Sequence, residues 1–258
     1  MKKTDLNCDL GESYGNYKCG MDEEILPYIS SANVACGFHA SDPVVMQKTV
    51  HLAKQDGVRI GAHPGFPDLD GFGRRKMELT PEEITAMIIY QIGALSAFCS
   101  ANSIPMQHVK PHGALYNMAV KNPAVADAIC AGIAAADPSL ILLAPCASEM
   151  ERSARQFGLP FAGEVFADRA YEDDGSLVAR SKPGAMITDE DEAVERVIRM
   201  VMEGVVTTIT GREIPVHADS ICIHGDSPAA LAFAKKIHAA LLAQEISIVP
   251  IKEVIGQK

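Results

Sequence analysis

Residues able to carry a proton, a metal or a charge recur in this chain at one kind of place, the end of a short apolar run. The run at 6–12 holds Asn7, Asp9 and Glu12, and that at 35–39 ends in His39. The run at 60–65 carries His63, that at 109–113 carries Lys110 and His112, and that at 221–226 carries His224 and Asp226. Each also holds a Gly or Pro, and a helix-like stretch follows most of them. If the runs are strands, their ends converge on one mouth only when the strands are parallel. Ligand sites in parallel α/β sheets and barrels lie at those carboxyl ends, so the pattern points to an enzyme.

Asn7 and Asp9 are two apart and share one face of a strand, with Glu12 in the loop beyond. Asp9 is a candidate general base or metal ligand; the plain alternative is a loop carboxylate capping backbone amides. His39, His63 and His112 occupy equivalent positions, where imidazole serves as a near-neutral proton carrier or a ligand. A lone histidine there would more often just be hydrogen-bonded in place. Asp9 with His39 and His63 would suit zinc or a similar ion with one open position. Lys110 alternates with His108 and His112, and a lysine aimed into a mouth needs an anion. That anion is phosphate, a substrate carboxylate, or a neighbouring Asp or Glu. The candidate catalytic set is therefore Asp9, His39, His63, Lys110 and His112. The candidate substrate- or phosphate-binding set is Asn7, Glu12, Arg74, Glu164, Arg169 and Asp226. Loop charge is ordinarily just solvated, but Arg74, Arg75 and Lys76 on one loop and Arg169, Arg180 and Lys182 on another would clamp phosphate if both face one mouth. Asp168 is a further carboxylate. His51, His217 and His238 read as structural or surface residues, and Cys36 and Cys222 as small apolar groups near the mouth.

The elements that position these groups follow from the pattern. Strand-like runs lie at 5–8, 32–35, 58–62, 106–110, 140–144, 161–166, 220–224 and 246–249, mostly continuous apolar stretches as in buried parallel strands. Asp42-Pro43, Asn122-Pro123 and Ser227-Pro228 read as helix caps with Pro in the first turn, and Thr80-Pro81-Glu82-Glu83 as a capping box. Ile84, Met87, Ile88, Ile92 and Leu95 form one apolar helix face, and Val194, Val197, Ile198, Val201 and Val205 another. Strand–helix alternation of this length predicts one domain over 1–258, an irregular seven- or eight-stranded (β/α) barrel. Two long loops, 65–77 and 168–183, would leave strand ends on the mouth side and wall it.

Composition narrows the class. A net charge of −10 argues against a nucleic-acid partner, and 5% aromatic residues with no Trp offer no stacking platform. Seven cysteines, an odd number without C-x-x-C, predict reduced thiols and a cytoplasmic protein. No leader-like segment and no run of membrane-spanning length stands out. Neither G-x-x-x-x-G-K-[ST], G-x-G-x-x-G nor H-E-x-x-H occurs, so a bound nucleotide would need another phosphate cradle.

Six segments taken together carry a resemblance: DLNCDLGE at 5–12, ANVACGFHASDP at 32–43, GAHPGFPD at 61–68, VKPHGALYN at 109–117, EVFADRAY at 164–171 and IHGD at 223–226. In this order and over nearly the whole chain they resemble the LamB/YcsF family. The resemblance implies a barrel like that of polysaccharide deacetylases. It also implies cleavage of 5-oxo-L-proline to L-glutamate driven by ATP, with Mg-ATP as cosubstrate and two companion subunits. It does not assign residue roles. Reasoned forward, phosphorylating the oxygen of the stable lactam would make its carbon a better electrophile for water. Asp9 would then be base or ligand, the three histidines proton carriers or ligands, and Lys110 with a loop Arg the holder of phosphate or carboxylate. Two other classes fit the same residues: a metal-dependent carbohydrate deacetylase, which needs a tightly bound divalent ion and no ATP, and a non-catalytic binding protein within the complex. A second metal and a homo-oligomer are further options.

Overall fold

The computed structural model describes residues 2–224 and 227–256. Its strands are β1 (Lys3–Leu10), β2 (Ser31–Ala35), β3 (Arg59–His63), β4 (Met106–Val109), β5 (Ile141–Ala144), β6 (Phe161–Phe166), β7 (Val205–Thr207), β8 (Glu213–Pro215), β9 (Ser220–Ile223) and β10 (Ser247–Ile248). Seven of these pair in parallel in the order β1-β2-β3-β4-β5-β6-β9, and β9 returns to β1, so the ring closes. The run at 246–249 does not join the ring. It contributes β10, which adds to the outer end of β1 through Lys3↔Ser247. β7 and β8 form an antiparallel pair outside the barrel that the sequence pattern does not reveal.

The helices are α1 (Asp22–Ile25), α2 (Pro43–Gln55), α3 (Pro81–Ala101), α4 (Gly113–Ala119), α5 (Pro123–Ala136), α6 (Glu149–Phe157), α7 (Glu190–Met202), α8 (Pro228–Ala243) and α9 (Ile251–Ile255). The anticipated caps are in place: Asp42, Thr80, Asn122 and Ser227 accept from first-turn amides, and Asp189 does the same for α7. Thr80 and Glu83 close a full capping box. Thr80→Ala should lower stability by about 1 kcal/mol, read as a lower urea midpoint at unchanged slope.

α3 corrects one expectation. At 21 residues and a mean hydropathy of 1.6 it is long and apolar enough to cross a membrane by length and composition. In the fold it packs chiefly on α5, with Ile84, Ile88, Ile92 and Leu95 buried, and Thr85 Oγ1 donates to the Ala128 carbonyl at 3.0 Å. Its buried Gln91 brackets the start of the 65–77 loop, accepting from Gly65 N at 2.9 Å and donating to the Gly65 carbonyl at 3.0 Å.

Strand periodicity divides β1 between two environments. Leu6, Cys8 and Leu10 join the apolar layer under the helices. Asp5, Asn7 and Asp9 bond to side chains of other ring strands. The barrel interior is consequently polar, which is unusual for a closed barrel and requires every group to find a partner. At its closed end Asp5 accepts from Ser30 and Ser31, each at 2.6 Å, and from Ser220. Burial outweighs those bonds and lifts the Asp5 pKa to about 6. Ile141, Leu143 and Ala162 meet Ile251 of α9 in a small apolar cluster.

Candidate active site

The next layer up is organised by Lys110. β4 ends at Val109, and the Lys110 amide still bonds to the Ala62 carbonyl, which fixes the backbone at the mouth. The buried ammonium lies 2.8 Å from Glu164 Oε1 and 3.1 Å from Asp9 Oδ1. It also donates to Asn7 Oδ1 at 3.2 Å and to Cys222 Sγ at 3.1 Å. Glu164 Oε2 accepts from Tyr116 at 2.7 Å, and Asn33 donates to Asn7 and Asp9. Burial alone would lower the Lys110 pKa, but Asp9, Cys222 and Glu164 override it and hold the pKa well above its ordinary value. Burial likewise opposes ionisation of Asp9, and His63 and Lys110 override it, so that carboxyl sits well below the usual range. The pair is a buried ion pair closed by further hydrogen bonds, the arrangement under which such pairs persist.

Above Lys110 three imidazoles converge. His63 ends β3, and its Nδ1 bonds to the Lys110 carbonyl at 2.7 Å. Its Nε2 lies 3.3 Å from Asp9 Oδ2 and 2.9 Å from His112 Nδ1. His112 stands at the N-cap of α4 and bonds through Nε2 to the Phe72 carbonyl at 2.8 Å. His39 follows β2 and stacks on His112, ring centres 3.7 Å apart, with its Nε2 3.1 Å from Glu12 Oε1. Burial first, then the neighbouring imidazoles, holds both His39 and His112 well below the ordinary histidine range, so both are neutral. The 65–77 loop presses on the stack through Gly73, at φ +62°. A Cβ there would stand 2.7 Å from His39 Cβ and 2.8 Å from His112 Cδ2.

These groups face a cavity of about 770 Å³. It is also lined by His224 and Arg169, which follow the neighbouring ring strands β9 and β6, and by Arg180. His224 Nδ1 lies 2.7 Å from Asp168 Oδ2. Burial disfavours its charged form, but Asp168 overrides that and raises its pKa above the ordinary value. Arg169 is buried and donates to the Val178 carbonyl at 2.7 Å, while its Nε has no partner among the described residues.

Asp9, His63, Lys110 and His112 line this cavity together, with Glu12, Arg74 and Arg169. His39 lies behind His112. Asn7 and Glu164 are buried beneath Lys110 and contact it directly, a placement that suits holding the ammonium more than meeting a ligand. Asp226 lies outside the described residues. Arg75 does not join Arg74: it pairs with Asp68. For a metal, Asp9 Oδ1 is taken by Lys110 and Asn33, and the side chains whose donor atoms gather within 4.8 Å are Glu12, His39, His63 and His112. Sequence reasoning leaves His224, Tyr116 and Cys222 out of the site. The signal for His224 is present, since it ends the fifth apolar run. Tyr116 has a weaker one, three residues beyond Gly113 on the helix that leaves the mouth.

Fold and site together define a closed, parallel α/β barrel with a histidine- and carboxylate-rich cavity at the carboxyl ends of its strands, where enzymes of this architecture act. The chain belongs to the LamB/YcsF family, whose profile matches residues 4–256. It is 62% identical over 254 residues to the 5-oxoprolinase A subunit of Clostridium beijerinckii, covering 98% of this chain and 100% of that one. It is 55% identical over 248 residues to the Bacillus licheniformis protein of the same name, covering 96% and 98%. Its fold matches the crystal structure of the lactam utilization protein from Thermus thermophilus with a TM-score of 0.92 and 49% identity, over 96% of this chain and 99% of that one. A structure of T48 deacetylase with substrate superposes with a TM-score of 0.50 at 14% identity, over 100% of this chain and 92% of that one, a likeness of fold alone.

Proposed function

We propose that this chain is the A subunit of an ATP-dependent 5-oxoprolinase, and that the lactam of 5-oxo-L-proline is opened to L-glutamate in its barrel mouth. One observation carries the reading. Asp9 at the end of β1 and, just beyond the neighbouring strand β9, a His224 whose protonated form Asp168 favours open side by side into one cavity that His63 and His112 complete. Opening an amide ring needs both, one group to take a proton from water and one to give a proton to the departing nitrogen. The names of the relatives and of the Thermus protein support the same substrate class.

The lactam oxygen takes the γ-phosphoryl of Mg-ATP and ADP leaves. Water adds to the activated carbon, giving its proton to Asp9. The C–N bond breaks as His224 protonates the nitrogen, leaving an acyl phosphate, and a second water releases phosphate and glutamate. Lys110 fixes Asp9 and stabilises negative charge developing on the oxygens at that carbon. Arg169, whose Nε has no partner among the described residues, and Arg74 and Arg180 hold the substrate carboxylate or the phosphoryl group. The chain lacks a phosphate loop, so the nucleotide itself is assigned mainly to the two companion subunits. We read residues 1–258 as one barrel domain, working in the cytoplasm.

The test is glutamate release from 5-oxoproline by the chain with and without both companions and Mg-ATP. Turnover that needs all of them supports the reading. A complete, correctly assembled set without turnover, or ATP-independent deacetylation of an acetylated sugar by the chain alone, overturns it.

His224 also sets a pH dependence. The acid must be protonated, so kcat falls as pH rises through its raised pKa, on a limb above pH ~6.5. Asp168→Asn removes the group that opposes burial, so the limb moves to lower pH. A kcat–pH profile with an unmoved limb would detach His224 from the protonation step.

A further inference from the structure

We propose that Glu12, His39, His63 and His112 form a binding site for a divalent transition-metal ion, with zinc the best-fitting occupant. The directions of the lone pairs carry this. His63 has its Nδ1 on the Lys110 carbonyl at 2.7 Å, so that nitrogen carries the proton and Nε2 carries the lone pair. His112 has its Nε2 on the Phe72 carbonyl at 2.8 Å, so its lone pair is on Nδ1. These two nitrogens face each other at 2.9 Å. With both outer nitrogens fixed as donors, the two inner ones of neutral rings have no hydrogen to share and repel unless a proton or a metal ion lies between them.

Glu12 Oε1 brings a third acceptor, 3.5 Å from His112 Nδ1 and 3.1 Å from His39 Nε2. His39 is 1% exposed, and its Nδ1 has no partner among the described residues. One donor atom from each of the four residues lies within 4.8 Å of the others. A four-coordinate ion with bonds of about 2.0–2.1 Å needs its ligand atoms about 3.3 Å apart. The three short separations here, 2.9, 3.1 and 3.5 Å, bracket that value.

The outer shell is also built. Metal-bound histidines ordinarily donate their second N–H to a carbonyl or carboxylate, as His63 and His112 do to Lys110 and Phe72. Three imidazoles with one carboxylate favour zinc, and after it nickel, cobalt or iron(II), over magnesium or calcium. The ligands come from the ends of four consecutive ring strands, so the site is set by the barrel itself. Asp9 Oδ2 stands just outside it, 3.3 Å from His63 Nε2.

This proposal goes beyond the lactam reading and does not depend on it, because binding is measured on the purified full-length chain without substrate. The chain is stripped with a chelator and titrated with zinc against a chromophoric chelator, and in parallel with Co(II), followed by visible absorption. The expected result is one ion per chain and the intense d–d bands of four-coordinate cobalt. His63→Ala and His112→Ala should each weaken zinc binding roughly 100-fold or more, beyond the usual effect of losing an outer-shell partner. Glu12→Gln, nearly isosteric, should weaken it and shift the cobalt spectrum, which covers the case of an alanine variant that does not fold. His238→Ala should bind as the parent does. Absence of stoichiometric binding, or parent-like affinity in folded His63→Ala, His112→Ala and Glu12→Gln, overturns the proposal and leaves a proton shared between His63 and His112 as the cation.

Discussion

Lys110→Met should lower the stability of the chain by about 3–5 kcal/mol and abolish turnover in the assembled enzyme. The buried ammonium contacts two carboxylates, Asp9 and Glu164, and it also satisfies Asn7 Oδ1. Removing it strands Glu164 fully buried with only the Tyr116 hydroxyl for company among the described residues. The asymmetry of buried ion pairs applies: losing one partner is far worse than losing both. Lys110→Met combined with Glu164→Gln should therefore recover part of the lost stability without recovering activity. Urea midpoints of the parent, the single and the double variant check this. A Met variant as stable as the parent would mean that the charges are not held as described.

Asp9→Asn should reduce kcat by about 10²–10⁴-fold while leaving the fold in place. The amide keeps an oxygen for Lys110 and Asn33, so the layer beneath survives. What disappears is a carboxylate that burial fails to neutralise because His63 and Lys110 face it. Its second oxygen, 3.3 Å from His63 Nε2, is the one placed to receive a proton. Steady-state kinetics in the assembled complex decide this. A loss of less than about tenfold would remove Asp9 as the proton acceptor.

Much of this is legible in the sequence, for reasons specific to each element. The ring strands announce themselves because each is buried on its outer face and bounded by Gly, Pro or a charge. β10 misleads, since the run at 246–249 is as apolar as a ring strand, yet the ring closes from β9 to β1 without it. The β7–β8 pair is hidden by a coincidence of spacing. Val205 continues the helical series from Val197 and Val201, but Gly204 at φ +71° ends that path and Val205 opens β7. In the site, Asp9, His63, Lys110 and His112 can be read from strand ends. That Glu12 also stands among the histidines, while Asp9 divides its carboxylate between His63 and Lys110, cannot be, because it depends on which neighbours claim each carboxylate. The Asp168–His224 contact follows from the ring order, in which β6 and β9 are neighbours with Phe166 opposite Cys222, an adjacency the sequence does not state.

Whether the ring is opened in this barrel is decided by a crystal structure of the chain, alone or assembled, with 5-oxo-L-proline bound. The lactam is expected in the cavity lined by Asp9, His63, His112 and His224. Its carboxylate would lie on Arg169 or the rim arginines, its carbonyl toward Lys110 and Asp9, and its ring nitrogen toward His224. A lactam bound elsewhere on the chain, or only within a companion protein of the complex, would refute that assignment.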